Sequence, residues 1–289
     1  MPSKLALLSD QPRVAFLGPL GTFSYEAVRA HFGEEVDFAP MPSIPAVFEA
    51  VASGDAARGV VPIENSIEGG VTFTQDTLLE MPLGMCGEVM VDVEQCLLTN
   101  APDPTRIERV YSHPQPLAQC RKWLTTHLPR AVTIPTASTV QAAELVKNDP
   151  SAGAIASRLA AELVGIKVAV VAIQDRKPNV TRFVVVAPES NRPERTGSDK
   201  TSLVFSTPDE RGALVRALSL FDRAGINLCR IESRPRGGET WQYVFFVDLE
   251  GHLADENVRK ALQDLQTQSD MVRVFGSYPR ARKPALSSS

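Results

Sequence analysis

Apolar positions along the chain fall into two alternating rhythms. Residues 13–18 (RVAFLG) are nearly continuously apolar and predict a buried strand. The following GPLGTFSYEAVRAHFG predicts a glycine-rich turn opening a helix, with Tyr25, Val28 and Phe32 on one face and Gly33 placed to end it. Ile44, Val47 and Val51 repeat at helical spacing between Ser43 and Ser53, and GVVPIE (59–64) predicts the next strand. Residues 87–99 predict one long strand. ERVYS (108–112) predicts another, leading into a helix that brings Leu117, Cys120 and Leu124 together. Ser138 and Gln141 have capping-box spacing for a further helix. GAIAS (153–157) predicts a short strand, Gly165 a helix end, and the apolar runs 167–173 and 180–187 close the region. Alternating β and α elements of this kind predict two α/β lobes with a cleft between them.

Residues 188–199 (PESNRPERTGSD) break the rhythm. They hold almost nothing apolar and carry proline, glycine and mixed charge, as an exposed linker requires. Beyond them the order is strand (202–206), helix (211–224), strand (226–233), strand (240–249), helix (255–267) and strand (271–277). This βαββαβ order is ferredoxin-like. Leu214, Leu218 and Phe221 mark the inner face of its first helix, and Val258, Leu262 and Leu265 that of the second. A small sheet with helices on one face suits pairing with another copy. The expected division is a tail (1–12), a two-lobed region (13–187), the linker (188–199), the ferredoxin-like module (200–278) and a second tail (279–289).

Composition narrows the function. With 289 residues, 43% hydrophobic and 22% charged, the chain has the profile of a folded globular protein large enough for two domains. The 30 basic and 34 acidic residues give a formal charge of −4, which provides no field for a nucleic-acid backbone. Cys86, Cys96, Cys120 and Cys229 form no CxxC pair, and His31, His113, His127 and His252 form no HExxH, so reduced thiols and no metal are expected. No run is long enough for a membrane span, and the N-terminus lacks the pattern of a secretory signal. The expected compartment is the cytoplasm.

Four segments carry candidate chemistry. In GPLGTFS (18–24), free N–H groups at a helix start suit a carboxylate, whereas the plainer reading makes Thr22 or Ser24 an N-cap. The segment is not GxGxxG, and no GxxxxGK[ST] occurs, so no nucleotide cofactor is expected. In VPIENSIEGGV (61–71), a strand ends in Glu64, Asn65 and Ser66. The last two suit a polar substrate or, equally, a capped turn. YSHPQPLAQC (111–120) places Ser112 at a strand end and Gln119 in a helix, with His113 reading as a turn residue. NVTRFVVV (179–186) is a strand in which alternation puts Thr181 and Phe183 on one face and Arg182 on the other.

Taken with TASTVQAA (136–143), RGALVRAL (211–218) and IESRP (231–235), these motifs closely resemble the prephenate dehydratase family over roughly residues 13–277, in the family's order and approximate spacing. The resemblance implies an α/β catalytic region with two lobes arranged as in type II periplasmic binding proteins, followed by a ferredoxin-like ACT domain. It also implies the chemistry: prephenate loses its ring carboxylate as CO2 and its C4 hydroxyl as water, leaving phenylpyruvate, with no cofactor. Thr181 matches the family's essential threonine, which assists the leaving hydroxyl by orientation and hydrogen bonding. Asn65, Ser66, Ser112 and Gln119 carry over as neutral cleft groups. Arg182 and the helix start at Thr22, Phe23 and Ser24 would grip the pyruvyl carboxylate, with a structural role as the alternative for Arg182, which alternation sets on the face opposite Thr181, and Phe183 joins the substrate-binding set.

In the ACT module the resemblance implies phenylalanine as feedback effector, bound between paired copies. Gly212, Ala213 and Leu214 would supply backbone, with Asn227, Leu228, Glu232, Ser233 and Arg234 around the ligand. A homodimer or homotetramer is expected, and a monofunctional enzyme, since no chorismate mutase segment precedes Arg13. Arogenate dehydratase is the alternative within the enzyme class. A non-catalytic amino-acid sensor is the alternative outside it, and retention of Asn65, Ser66, Thr181 and Arg182 together argues against that.

Overall fold

The computed structural model describes residues 11–235 and 242–281. The ends of both expected tails, and the start of the strand expected from residue 240, lie outside the described residues. In chain order the elements begin β1 (Arg13–Leu17), α1 (Phe23–Phe32), β2 (Asp37–Met41), α2 (Ile44–Ala52), β3 (Arg58–Asn65), β4 (Gly69–Gly70), α3 (Thr72–Glu80) and β5 (Leu83–Asp92). They continue with β6 (Cys96–Leu98), β7 (Arg109–Ser112), α4 (Pro114–Gln119), α5 (Arg121–His127), β8 (Val132–Pro135), α6 (Thr139–Val146), β9 (Ala152–Ala156), α7 (Arg158–Val164), β10 (Val168–Val170) and β11 (Val180–Pro188). The last group is β12 (Asp199–Ser206), α8 (Ala213–Arg223), β13 (Leu228–Pro235), β14 (Tyr243–Glu250), α9 (Glu256–Gln268) and β15 (Met271–Pro279).

Local chemistry sets most helix ends. Thr22, Ser43, Ser138 and Ser157 sit in extended backbone at N-caps and accept from the N–H three residues on. Gln141 completes its box by accepting from the N–H of Ala137 at 2.9 Å, one residue before the cap. Gly165 is left-handed (φ 73°) and closes α7.

Two lobes follow, each a sheet with its own core. The first sheet has the order β2-β1-β3-β11-β5, with β4 on β3 and β1 parallel to both neighbours. Val14, Phe16, Val28, Val47, Phe48 and Val60 are fully buried around it. The second has the order β10-β6-β9-β7-β8, parallel from β9 to β8 and antiparallel elsewhere. Cys96, Leu98, Val146, Ala154 and Ala160 fill one of its faces, and Leu97, Val110, Cys120 and Ile155 the other.

The expected single strand over 87–99 is two strands in two different sheets, interrupted at Val93–Gln95. The expected helix after Ser112 is also divided, at Cys120 (φ −108°, ψ 11°). There the Asp175 carboxylate accepts from the N–H groups of Lys122 and Trp123 at 2.9 and 3.0 Å and opens α5 as a cap from far along the chain. Of the run 167–173 only Val168–Val170 is strand, and β8 has no counterpart in the pattern reading.

The last group of elements forms an antiparallel sheet of order β13-β14-β12-β15, the βαββαβ arrangement expected. Its helices bury Ala217, Leu220, Phe221, Val258, Leu262 and Leu265, with Leu214 and Leu218 half-buried at the margin. By contacts, this sheet is grouped with residues from both sides of 188–199. The compact unit that holds this sheet comprises Gln75–Glu88 and Val184–Arg282, so it includes most of α3 and the start of β5.

Specific ties hold that segment. The Arg273 guanidinium donates to the carbonyls of Leu78 (2.6 Å) and Met81 (2.7 Å), satisfying acceptors at the end of α3. Lys200 and Glu88 form a buried ion pair at 2.7 Å. Asp199 is also buried; burial pushes its carboxyl up, but hydrogen bonds from Thr196 and the Gly197 N–H outweigh that and hold it below the usual carboxylate range.

Candidate active site

The C-terminal end of β3 and the start of β11 bring the first polar cluster together. Asn65 is buried, and its Nδ2 donates to Thr181 Oγ1 and to Asn179 Oδ1, both at 2.9 Å. Its Oδ1 accepts from the N–H groups of Ile67 (2.9 Å) and Glu68 (3.1 Å), which fixes the turn after β3. Ser66 ties the same two segments. Its N–H donates to Val180 O and its Oγ accepts from Val180 N, both at 2.9 Å. With every polar atom of the Asn65 side chain engaged, the amide is fixed in orientation, and so is the oxygen of Thr181. Thr181 Oγ1 accepts from an amide there, so its own proton remains for another acceptor.

Helix α4 of the second lobe completes the cluster. Gln119 Oε1 accepts from Asn179 Nδ2 (3.1 Å) and from Gln95 Nε2 (3.3 Å), while its Nε2 donates to Glu68 Oε1 (2.7 Å). Gln115 Nε2 donates to the other oxygen of Glu68 at 2.6 Å. The side chains of Thr181, Asn65, Asn179, Gln119 and Glu68 therefore form one hydrogen-bonded chain spanning both lobes. Its groups are neutral amides and a hydroxyl, apart from Glu68. Such a lining can orient an anion through directed N–H groups without the strong stabilisation of a fixed cation.

Asn65, Ser66, Gln119 and Thr181 are thus brought together as expected, and several other expected residues are not. Ser112 is fully buried and donates to Ile155 O at 2.6 Å, so its hydroxyl proton ties β7 to β9. Phe183 is only 2% exposed, a core residue of β11. Arg182 is buried with its guanidinium 3.6 Å from Glu64 Oε2, which favours the structural reading of that side chain.

Thr22 is the N-cap of α1. Its hydroxyl donates to Pro19 O (3.0 Å) and Leu17 O (3.1 Å) and accepts from Tyr25 N, and Ser24 is buried. Phe23 lines a charged hollow of about 290 Å³ with Glu26, Arg29, Glu94, Arg158 and Glu162. Burial pushes the Glu26 carboxyl there above its usual value, against a hydrogen bond from Ser157. His113 caps α4 through Nδ1, in keeping with a turn residue. Sequence reasoning missed Asn179, Gln95, Gln115 and Glu68. Three of them stand inside the motifs quoted above, and their amide or carboxylate side chains were the available signal.

In the C-terminal unit the expected effector residues divide into two groups. Gly212, Ala213 and Leu214 lie at the N-terminal end of α8. Asn227 and Leu228 lie at the other end, about 16 Å away over 11 residues. Glu232 and Arg234 are engaged on α3: Gln75 Nε2 donates to Glu232 at 2.7 Å, and Arg234 Nη2 reaches both Asp76 oxygens at 2.7 and 2.9 Å. Ser233 points to the opposite, exposed side.

Comparison with known proteins agrees with this geometry. A family model described as prephenate dehydratase matches residues 14–191, and the ACT domain model matches residues 201–266. The chain belongs to the prephenate dehydratase family. A bifunctional chorismate mutase/prephenate dehydratase of Aquifex aeolicus is 44% identical over 95% of this chain and 75% of its own length. The prephenate dehydratase of Arthrobacter aurescens, solved in complex with L-Phe, superposes with a TM-score of 0.85 at 38% identity, covering 96% of this chain and 93% of that one. A further solved structure, GqqA, described as a novel type of quorum quenching acylase, superposes at 0.82 with 30% identity, covering 94% and 98%. Among the described residues no helix is long and apolar enough to cross a membrane.

Proposed function

We propose that the chain is a prephenate dehydratase whose ACT domain senses phenylalanine. The observation that carries this reading is the Thr181 hydroxyl, held by Asn65 with its proton uncommitted, beside a lining of neutral amides. Breaking the bond from the ring to its carboxylate releases CO2 and leaves an electron pair that aromatises the ring. The C4–O bond breaks with its own pair, and the leaving hydroxide takes a proton to become water. Thr181 supplies a hydrogen bond to that oxygen as charge develops, while the amides hold the substrate in place. Threonine is a weak acid, so it acts by orientation and hydrogen bonding, with the proton itself relayed. A cation on the departing carboxylate would oppose its loss, whereas neutral amides orient it without the strong stabilisation of a fixed cation.

The division of the effector residues between the two ends of α8 supports a phenylalanine pocket completed by a second copy, hence at least a homodimer. None of the four cysteines is in a disulfide, which favours the cytoplasm. A GqqA-like acyl transfer has less support, because Thr181 accepts from an amide and, among the described residues, neither an imidazole nor a carboxylate is bonded to it to activate a nucleophile. The test is turnover of prephenate and arogenate in parallel, with and without phenylalanine. Preference for prephenate and suppression by phenylalanine are expected. Preference for arogenate overturns the substrate assignment, and indifference to phenylalanine overturns the regulatory one.

A further inference from the structure

The one charged group in the amide chain, Glu68, has no part in the chemistry above. Its carboxylate receives both available donors of α4, from Gln115 at 2.6 Å and Gln119 at 2.7 Å. Two amide N–H groups converging on the two oxygens of one carboxylate constitute a receptor for that group. It is preorganised from behind, because Gln119 Oε1 is held by Asn179 and Gln95, which aims its N–H at Glu68. Glu68 itself is exposed, and Gly69, with φ 84° and open space about its α-carbon, follows it. The side chain therefore has room to leave, whereas Gln119 is held from behind.

We infer that Gln115 and Gln119 form a carboxylate subsite of the cleft, and that Glu68 occupies this subsite as an internal stand-in until a substrate carboxylate displaces it. The assignment rests on the dehydratase reading for the identity of the displacing group, the ring carboxylate of prephenate. That group would then be held by the amides that connect, through Asn179 and Asn65, to Thr181. Glu68 also closes one lobe on the other, since it belongs to the turn after β3 while its partners belong to α4. Substrate entry and release of this clasp are a single exchange, in which one carboxylate replaces another on the same donors.

A built-in competitor lowers apparent affinity by the fraction of time it occupies the site. Removing it from an exposed, two-bond contact is expected to strengthen binding by about three- to tenfold. Steady-state kinetics of Glu68→Gln and Glu68→Ala are therefore expected to show KM for prephenate lowered by that factor. Benzoate, used as a carboxylate probe in calorimetry, is expected to bind both variants more tightly than the parent by a similar factor. Glu68→Gln keeps the shape of the turn and serves if the alanine variant does not fold. An unchanged or raised KM together with unchanged benzoate affinity overturns the inference, as does a tenfold loss of kcat, which would put Glu68 in the chemistry. Benzoate binding is read without turnover, so failure of the parent to act on prephenate would count against the dehydratase reading while leaving the subsite test intact.

Discussion

Replacing Thr181 with valine removes one oxygen and keeps the shape of the side chain. In the fold the change is small: Asn65 Nδ2 loses one acceptor but retains Asn179 Oδ1 at 2.9 Å, and the site is only partly buried. Loss of one such bond costs about 1 kcal/mol of stability. In the reaction the change is large. A positioned donor to a leaving group contributes about 10²–10⁴-fold, or about 3–5 kcal/mol of barrier at 1.36 kcal/mol per tenfold. The expected outcome for Thr181→Val is kcat lowered by about a hundredfold or more, with KM within about threefold, because the hydroxyl acts on charge that appears only in the transition state. Thr181→Ser restores the oxygen and is expected to recover most of the rate. Phenylpyruvate formation followed under saturating prephenate, beside a urea unfolding curve for each variant, separates the two effects. A valine variant that keeps more than a tenth of the parent kcat would refute the role given to this hydroxyl.

Other consequences concern packing and pH. A Cβ on Gly276 would lie 2.1 Å from Met85 O, at a φ of 156°, so Gly276→Ala is expected to destabilise the protein by about 3 kcal/mol or more in urea unfolding; a loss below 1 kcal/mol would contradict the close approach. Burial pushes the Cys96 and Cys120 thiols up from 9.0, to about 11 and about 12. Each raised value means a contribution to stability that is complete below pH 9.0 and is lost as pH rises through the folded-state value, at about 1.4 kcal/mol per pH unit per thiol. Alkaline unfolding of Cys120→Ala measured between pH 9 and 11 is expected to show a shallower decline than the parent; parallel curves would count against the burial argument.

What could be read from the sequence was the chemistry that acts over a few residues. Ser43 and Ser138 cap the helices that their spacing announced, and Gly33 and Gly165 end theirs, because each satisfies backbone groups within one turn. The break at Cys120 was hidden because its cause is Asp175, more than fifty residues along the chain. The change of sheet after Asp92 was hidden as well: apolar continuity does not report which partner strand each half will find. The site shows the same division. Asn65 and Thr181 stood out in their motifs, but the partnership that orients Thr181 also needs Asn179, and the amide pair on Glu68 joins two lobes. The burial of Ser112 and Phe183 was hidden for a related reason, since strand alternation assigns a face without saying whether that face meets the cleft or the core.

The reaction itself tests the dehydratase assignment most directly. Purified protein given a limiting amount of prephenate should release CO2 and phenylpyruvate in equal amounts, one of each per prephenate consumed and with no added metal or cofactor. Prephenate left intact, or consumed without matching CO2, would contradict it.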